Sequence, residues 1–307
     1  MKENNMKKYP KISKGIKNGV IYFVLLIWAV LTLYPFVWVL INSFKPSSDI
    51  INNSLSLPIN NFTLQNYINA YNSEYNIFRA YGNSLFVSTI VVVVVLLVGG
   101  FASFALARYK FKGKGFIYGF IIACMMFPIF SVIYPLHEIL IKLNLNGTRF
   151  GVILPQIAGN LGFAVVILTG FMQQLPLEVE ESAYMDGANV FQVMFYLVFP
   201  MAKSAFATTA IFVFLWSYND LFLQMIVITD KDKMPIGALL REISSKYGTD
   251  FGLMTSSVAI IIVPVIIVYI ILQKHIVKGL TAGAIKGWLH DIRTKSRTTF
   301  NNWLAKW

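Results

Sequence analysis

The sequence predicts an all-α, polytopic membrane protein with about six transmembrane helices, and three observations carry that prediction. Hydrophobic residues make up 56% of the 307 residues and charged residues only 13%, a balance too apolar for a soluble chain of this length. Six nearly charge-free stretches of about 20 or more residues are each long enough to cross a hydrocarbon core as a helix. They lie near 20–43, 84–107, 115–136, 151–173, 203–228 and 256–274. Finally, Lys and Arg crowd into alternate loops. An even number of spans puts both termini on one side, and the cationic loops make that side the cytosol.

Taken in order, residues 1–17 form a basic cytosolic segment with six Lys and one Glu. The first apolar stretch is longer than a signal-peptide core and has no small-residue cleavage site, so it reads as a retained span. The loop 44–80, rich in Asn, Ser and Tyr, belongs outside and is expected to cap the spans. The second span repeats small residues at Gly99, Ser103 and Ala107, a close-packing face for another helix. Four cations and no acid fill Arg108 to Lys114, which is therefore cytosolic. Pro35, Pro128, Pro135 and Pro264 fall in or at the ends of spans, where each bends a helix or serves as a hinge around a cavity. Loops 137–150 and 229–255 are mixed in sign and belong outside. The tail from Lys274 holds seven cations and one Asp. Residues 18–287 thus form one membrane domain, and 288–307 an extension.

Composition also excludes function classes. The net charge of +12 follows from the positive-inside bias, and no separate basic module points to nucleic acid. Cys124 is the single cysteine, so no intrachain disulfide can form. His137, His275 and His290 have no metal-ligand spacing. No Gly-rich loop ending in Lys-Ser/Thr is present to cradle phosphates, so the chain does not hydrolyse ATP alone.

One loop breaks the charge trend. Residues 174–202 must be cytosolic, yet they carry Glu178, Glu180, Glu181 and Asp186, four of the chain's 14 acids. Acids near an anionic leaflet are disfavoured, so the loop is either a solvated interfacial helix or the dock for a basic protein partner. Pro176 can open a helix, with the three Glu near its positive end. Gly187 is a natural stop. Asn189 with Gln192 reads as the cap of a second short helix running to Pro200.

This loop resembles the cytosolic EAA signature of ABC importer permeases: Glu-Ala-Ala, a Gly four positions after the second Ala, then a hydrophobic helix and a Pro. Here it reads Glu181-Ser182-Ala183-Tyr184-Met185-Asp186-Gly187, with Ser182 in place of the first Ala. The Asp186-Gly187-Ala188 form is similar to the carbohydrate-importer branch. Asn83-Ser84-Leu85 and the Ala107 to Lys114 segment resemble the same branch. The Val277 to Gly287 segment resembles the end of its shorter, maltose-type G-subunit permease. The resemblance covers roughly residues 15 to 287.

It implies a bacterial plasma-membrane subunit, with both termini cytosolic, of a binding-protein-dependent sugar importer. The implied partners are a second, homologous permease, a cytosolic ATPase dimer that binds ATP and Mg, an external solute-binding protein and membrane lipid. No cofactor is expected on this chain. Glu180, Glu181, Ser182, Ala183, Asp186 and Gly187 would form the ATPase-coupling loop, with Glu181 in charge contact and Gly187 at the bend. Other readings are the same machinery for a polyol or glycerol-phosphate-type solute, an ATP-independent secondary transporter, and a membrane sensor or scaffold.

Two further features stand out. Asp220 is the one acid placed inside a span, and helical spacing aligns Phe212, Trp216, Asn219 or Asp220, and Leu223. An aromatic plate beside polar groups suits a sugar, so Trp216, Asn219 and Asp220, with Gln156 and Asn160 of the fourth span, are candidates to line a pathway; the rival is packing between spans. The family pattern of Trp-Asn-Glu/Asp is interrupted here by Ser217 and Tyr218. In the extension, Ile285, Trp288, Leu289 and Ile292, then Phe300, Trp303, Leu304 and Trp307, repeat at helical spacing beside cations. That predicts an interfacial helix on an anionic leaflet, against a flexible tail or a contact with the ATPase.

Overall fold

The computed structural model describes residues 14–72, 76–239, 241, 250–263, 265, 266 and 270. The described residues fold as helices joined by turns, with no strand among them. They cluster into two units, residues up to 70 with 247–260, and residues 71–246 with 261 onward. The extension 288–307 and the N-terminal segment up to residue 13 lie outside the described residues.

In the first unit, α1 (Lys14–Asn42) is apolar and long enough to span a bilayer. Its side chains from Asn18 to Val37 are exposed, which suits a lipid-facing surface. Two short helices follow, α2 (Ser47–Asn52) and α3 (Gln65–Asn72). The polar residues between them make local ties. The fully buried Lys45 Nζ donates to the Asn53 carbonyl at 3.0 Å and to Ser56 Oγ at 3.2 Å. Asn66 Nδ2 donates to the carbonyls of Ser43 and Lys45, and Ser47 Oγ donates to Asp250 Oδ1 at 2.6 Å. Buried groups left unpaired would each cost about 1–3 kcal/mol, so these bonds fix the segment. The helix α12 (Phe251–Val263) begins in this unit, whose sequence ends at 260; of the expected sixth span, residues 264, 267–269 and 271–274 lie outside the described residues.

The second unit is built on α4 (Ile77–Arg108) and α7 (Arg149–Met172), its most extensively packed pair. The small-residue face does close-pack. A Cβ on Gly99 would stand 3.1 Å from the Ala164 Cβ, and Ser103 Oγ donates to the Val165 carbonyl at 3.2 Å. Next come α5 (Lys114–Met125), α6 (Ile129–Lys142), α8 (Glu178–Met185), α9 (Val190–Met201), α10 (Lys203–Tyr218) and α11 (Leu221–Val227).

Two expected spans are interrupted. The stretch 115–136 is not one helix: α5 and α6 meet at 100° across Met126 to Pro128. Pro128 lacks an N–H and pushes Phe127 away from helical dihedrals, while Pro135 and Pro155 sit inside α6 and α7 without breaking them. In 203–228, the helix stops at Tyr218 and restarts at Leu221. Among the described residues, three helices are long and apolar enough to cross a membrane, or five if the bent pairs α5–α6 and α9–α10, the latter at 76°, each count as one span.

Candidate functional site

The 174–202 loop folds as two helices at a glycine bend. Helix α8 starts at Glu178, two residues past Pro176, with Leu177 at its N-cap. Its first turn holds Glu178, Glu180 and Glu181, favourable for the positive end of the dipole. Asp186 is its C-cap and Gly187 follows at φ 87°, a left-handed conformation that a side chain would strain. Asn189 and Gln192 then form a full capping box: Gln192 N–H donates to Asn189 Oδ1 at 2.9 Å and Asn189 N–H to Gln192 Oε1 at 2.8 Å. Helix α9 widens into a π turn over Val193–Val198, with Phe199 N–H reaching the Met194 carbonyl five residues back. The wide turn sits just before Pro200, whose ring would press on the carbonyl four residues earlier.

A core of Phe104, Leu168, Met172, Val193, Met194, Val198, Ala202 and Ala205 holds this region, with Ala183 and Ala188 packed against it. Consequently α8 has two faces. Glu178, Glu181, Ser182, Met185 and Asp186 are exposed, Met185 at 87%, and Ser182 Oγ turns back to the Glu178 carbonyl at 2.9 Å. Glu180 points inward, buried, with Oε1 2.5 Å from Arg108 Nη2 at the end of α4. Burial raises the Tyr184 phenol above its ordinary pKa, and neighbouring Tyr109 and Glu180 act the same way.

A cavity of about 500 Å³ opens among α5, α6, α7, α10 and α11. Gln156, Asn160, Trp216 and Asp220 line it, with Ser217 and aromatic Phe127, Phe130 and Phe222. Asp220 is the N-cap of α11 and accepts from Leu223 N–H at 3.2 Å, so the expected single helical face from Phe212 to Leu223 is broken at the cap. Gln156 Nε2 donates to Asp220 Oδ2 at 2.9 Å, and Ser217 Oγ donates to Gln156 Oε1 at 2.6 Å and approaches Ser88 Oγ at 3.2 Å. Asn160 Nδ2 is taken by the Gln156 carbonyl at 2.7 Å. Trp216 stacks edge-on to Phe163 at 4.7 Å. Asn219 is not among the lining residues. It is the C-cap of α10, exposed, with its amide on the Leu215 carbonyl at 2.8 Å.

Ser88, Ser217 and Gln224, which donates to the Ser217 carbonyl at 3.0 Å, complete the network and were not singled out by sequence. A buried amide or hydroxyl amid apolar residues is the signal they offered. At the other end of α4, Asn83 Nδ2 donates to the carbonyls of Asp232 and Met234, while Asn83 Oδ1 accepts from Arg149 Nη2 at 2.8 Å. Ser84 Oγ accepts from Ile236 N–H at 2.8 Å. Together they fasten the 229–239 segment to α4 and α7. Among the described residues no group of three or more His, Cys, Asp or Glu is placed to hold a metal.

Residues 95–282 match the family described as "Binding-protein-dependent transport system inner membrane component". The chain is 33% identical to the diacetylchitobiose uptake system permease protein NgcG of Streptomyces coelicolor, over 87% of this chain and 89% of that one. It is 32% identical to the trehalose transport system permease protein SugB of Mycobacterium tuberculosis, over 85% and 97%. It is 31% identical to the arabinooligosaccharides transport system permease protein AraQ of Bacillus subtilis, over 87% and 94%. In fold it is similar to a chain of a bacterial ABC transporter involved in the import of the acidic polysaccharide alginate, with a TM-score of 0.73 and 24% identity over 88% of this chain and 99% of that one.

Proposed function

The chain belongs to the family of binding-protein-dependent transport system inner membrane components, and we propose that it is the permease subunit of an ATP-driven importer of short oligosaccharides. The observation that carries the coupling role is α8: three Glu in one turn, of which Glu178 and Glu181 are exposed on a helix anchored to the core from behind. Such a face fits a basic cleft on a cytosolic ATPase, which supplies ATP and Mg chemistry this chain does not perform. Both termini and the 174–202 loop then lie in the cytosol, and Gly187 sets the angle between the two docking helices.

The sugar class rests on the relatives named for diacetylchitobiose, trehalose and arabinooligosaccharides. It is also supported by the cavity, where Trp216 offers a ring face beside Asp220, Gln156 and Asn160. Rings cover the apolar C–H face of a sugar while the polar groups bond hydroxyls. Asn219, outside that lining, is given no part in it. A second, homologous permease completes the pathway, and an external binding protein delivers the solute; a structure similar in fold to this chain is a complex with a pentasaccharide-bound periplasmic protein.

The test is reconstitution of the chain with the other subunits of its own system in lipid vesicles. Uptake of a tritiated mixture of short oligosaccharides should require both the binding protein outside and Mg-ATP on the ATPase side. Uptake that proceeds without either component would overturn this reading.

A further inference from the structure

The end of α4 and the back of α8 are joined by a charge pair that the docking face does not use. Arg108 is the last residue of α4, and its side chain is 7% exposed. Glu180 lies in the first turn of α8, 6% exposed, with the two charges 2.5 Å apart. The contact lies off the hydrogen-bonding line, so charge rather than directional bonding holds it. Removing one partner of a buried pair leaves the other uncompensated, which is far costlier than losing a surface contact. Around the pair, Tyr184 lies beside Tyr109, Phe104 meets Tyr109 edge-on at 6.0 Å, and Ala183 packs against the core that includes Phe104. The charge pair joins the first turn of α8 to the last residue of α4.

The geometry points to Arg108 as a positioning residue: through Glu180 it makes α8 move as one body with α4. The inference rests on the reading of α8 as the ATPase dock. Helix α4 is 32 residues long and packs against α7 for much of its length. Its opposite end holds the 229–239 segment through Asn83 and Ser84. A displacement of α8 would therefore be delivered along α4 to the far end of the unit. Without the charge pair, α8 could still present Glu178 and Glu181 to a partner, but only apolar packing such as that of Ala183 would couple its movement to α4.

The test uses the full transporter in nanodiscs, with Cys124 replaced by Ser and spin labels placed at exposed Val98 on α4 and exposed Met185 on α8. The parent should give one narrow label distance that is the same with and without trapping by Mg-ATP and vanadate. Arg108→Gln and Glu180→Gln should each keep the ATPase bound, broaden that distance, and shift it on trapping. Both should also raise ATP hydrolysed per oligosaccharide imported by about fivefold or more. The exchange Arg108→Glu with Glu180→Arg should narrow the distance again and lower that ratio. A distance in the single variants that stays narrow and unmoved overturns the inference. So does a loss of uptake that merely tracks the amount of assembled complex at an unchanged ratio, because that is stability alone. If the parent chain never retains the ATPase, the docking reading fails instead, and the label distance without nucleotide still reports whether the pair fixes α8 to α4.

Discussion

Gln156 Nε2 on α7 donates to Asp220 Oδ2 at 2.9 Å, while Asp220 Oδ1 caps α11 by accepting from Leu223 N–H. One carboxylate thus closes a helix start and anchors a neighbouring helix at the wall of the cavity. Asp220→Leu removes both functions, at a cost of about 1 kcal/mol for the cap and a comparable amount for the unpaired Gln156 amide. The expected outcome is normal membrane abundance and ATPase binding, with uptake lowered about tenfold, equivalent to about 1.4 kcal/mol. Parent-like transport by this variant would reduce Asp220 to a packing residue.

Glu181 is exposed where Glu180 is buried, so reversing its charge tests the docking face without disturbing the core. Glu181→Lys should reach the membrane at parent levels and lose the ATPase on co-purification. Uptake driven by ATP should vanish with it. Retention of a working ATPase would remove the docking reading.

At Gly187, φ is 87°, and no atom within 4 Å stands where a Cβ would go. Gly187→Ala therefore costs backbone strain alone, about 1–2 kcal/mol. The expected result is a lowered thermal midpoint of the assembled complex with little change in the isolated chain's yield. Asn189→Ala, which removes the capping box next to it, should cost about 1 kcal/mol, and the pair of variants should combine non-additively because both act on the same bend. Additive midpoints would show the two positions to be independent.

Gly99 faces Ala164 across the α4 and α7 contact. Gly99→Leu forces a branched side chain into that approach, and overpacking of this kind costs about 1–3 kcal/mol. Poor recovery of folded chain from membranes is expected, with Gly82→Leu, which meets no atom within 4 Å, as the tolerated control. Equal recovery of the two would mean that α4 and α7 can separate without loss.

The parts legible in sequence are those governed by neighbouring residues. The capping box at Asn189 and Gln192, the left-handed Gly187 and the small-residue face of α4 are each set within one or two helical turns. The interruptions were harder to read. Pro128 and Pro155 are both proline in apolar surroundings, yet one stands at a helix start and the other sits inside one. Asp220 was identified as a polar anomaly, but its role as a cap, and the exclusion of Asn219 from the cavity, depend on where α10 stops. Glu180 and Glu181 are indistinguishable by composition. Only the approach of Arg108, far earlier in the chain, separates the buried one from the exposed one.

The π turn at Val193–Val198 has an evolutionary consequence. A π turn accommodates one residue more than the α-helix would hold there. Deleting one residue from this segment would restore ordinary helical bonding, an improvement by local criteria. It would leave the flanking turns close to their present phase, because the wide turn already absorbs the extra residue, but it would disturb the spacing that seats both Val193 and Val198, five residues apart, in the core behind α8. Single-residue deletions here should therefore be disfavoured even though they make a better helix. The segment's length is then set by the packing it serves, while the identities of its exposed side chains, such as Tyr196, carry no such constraint.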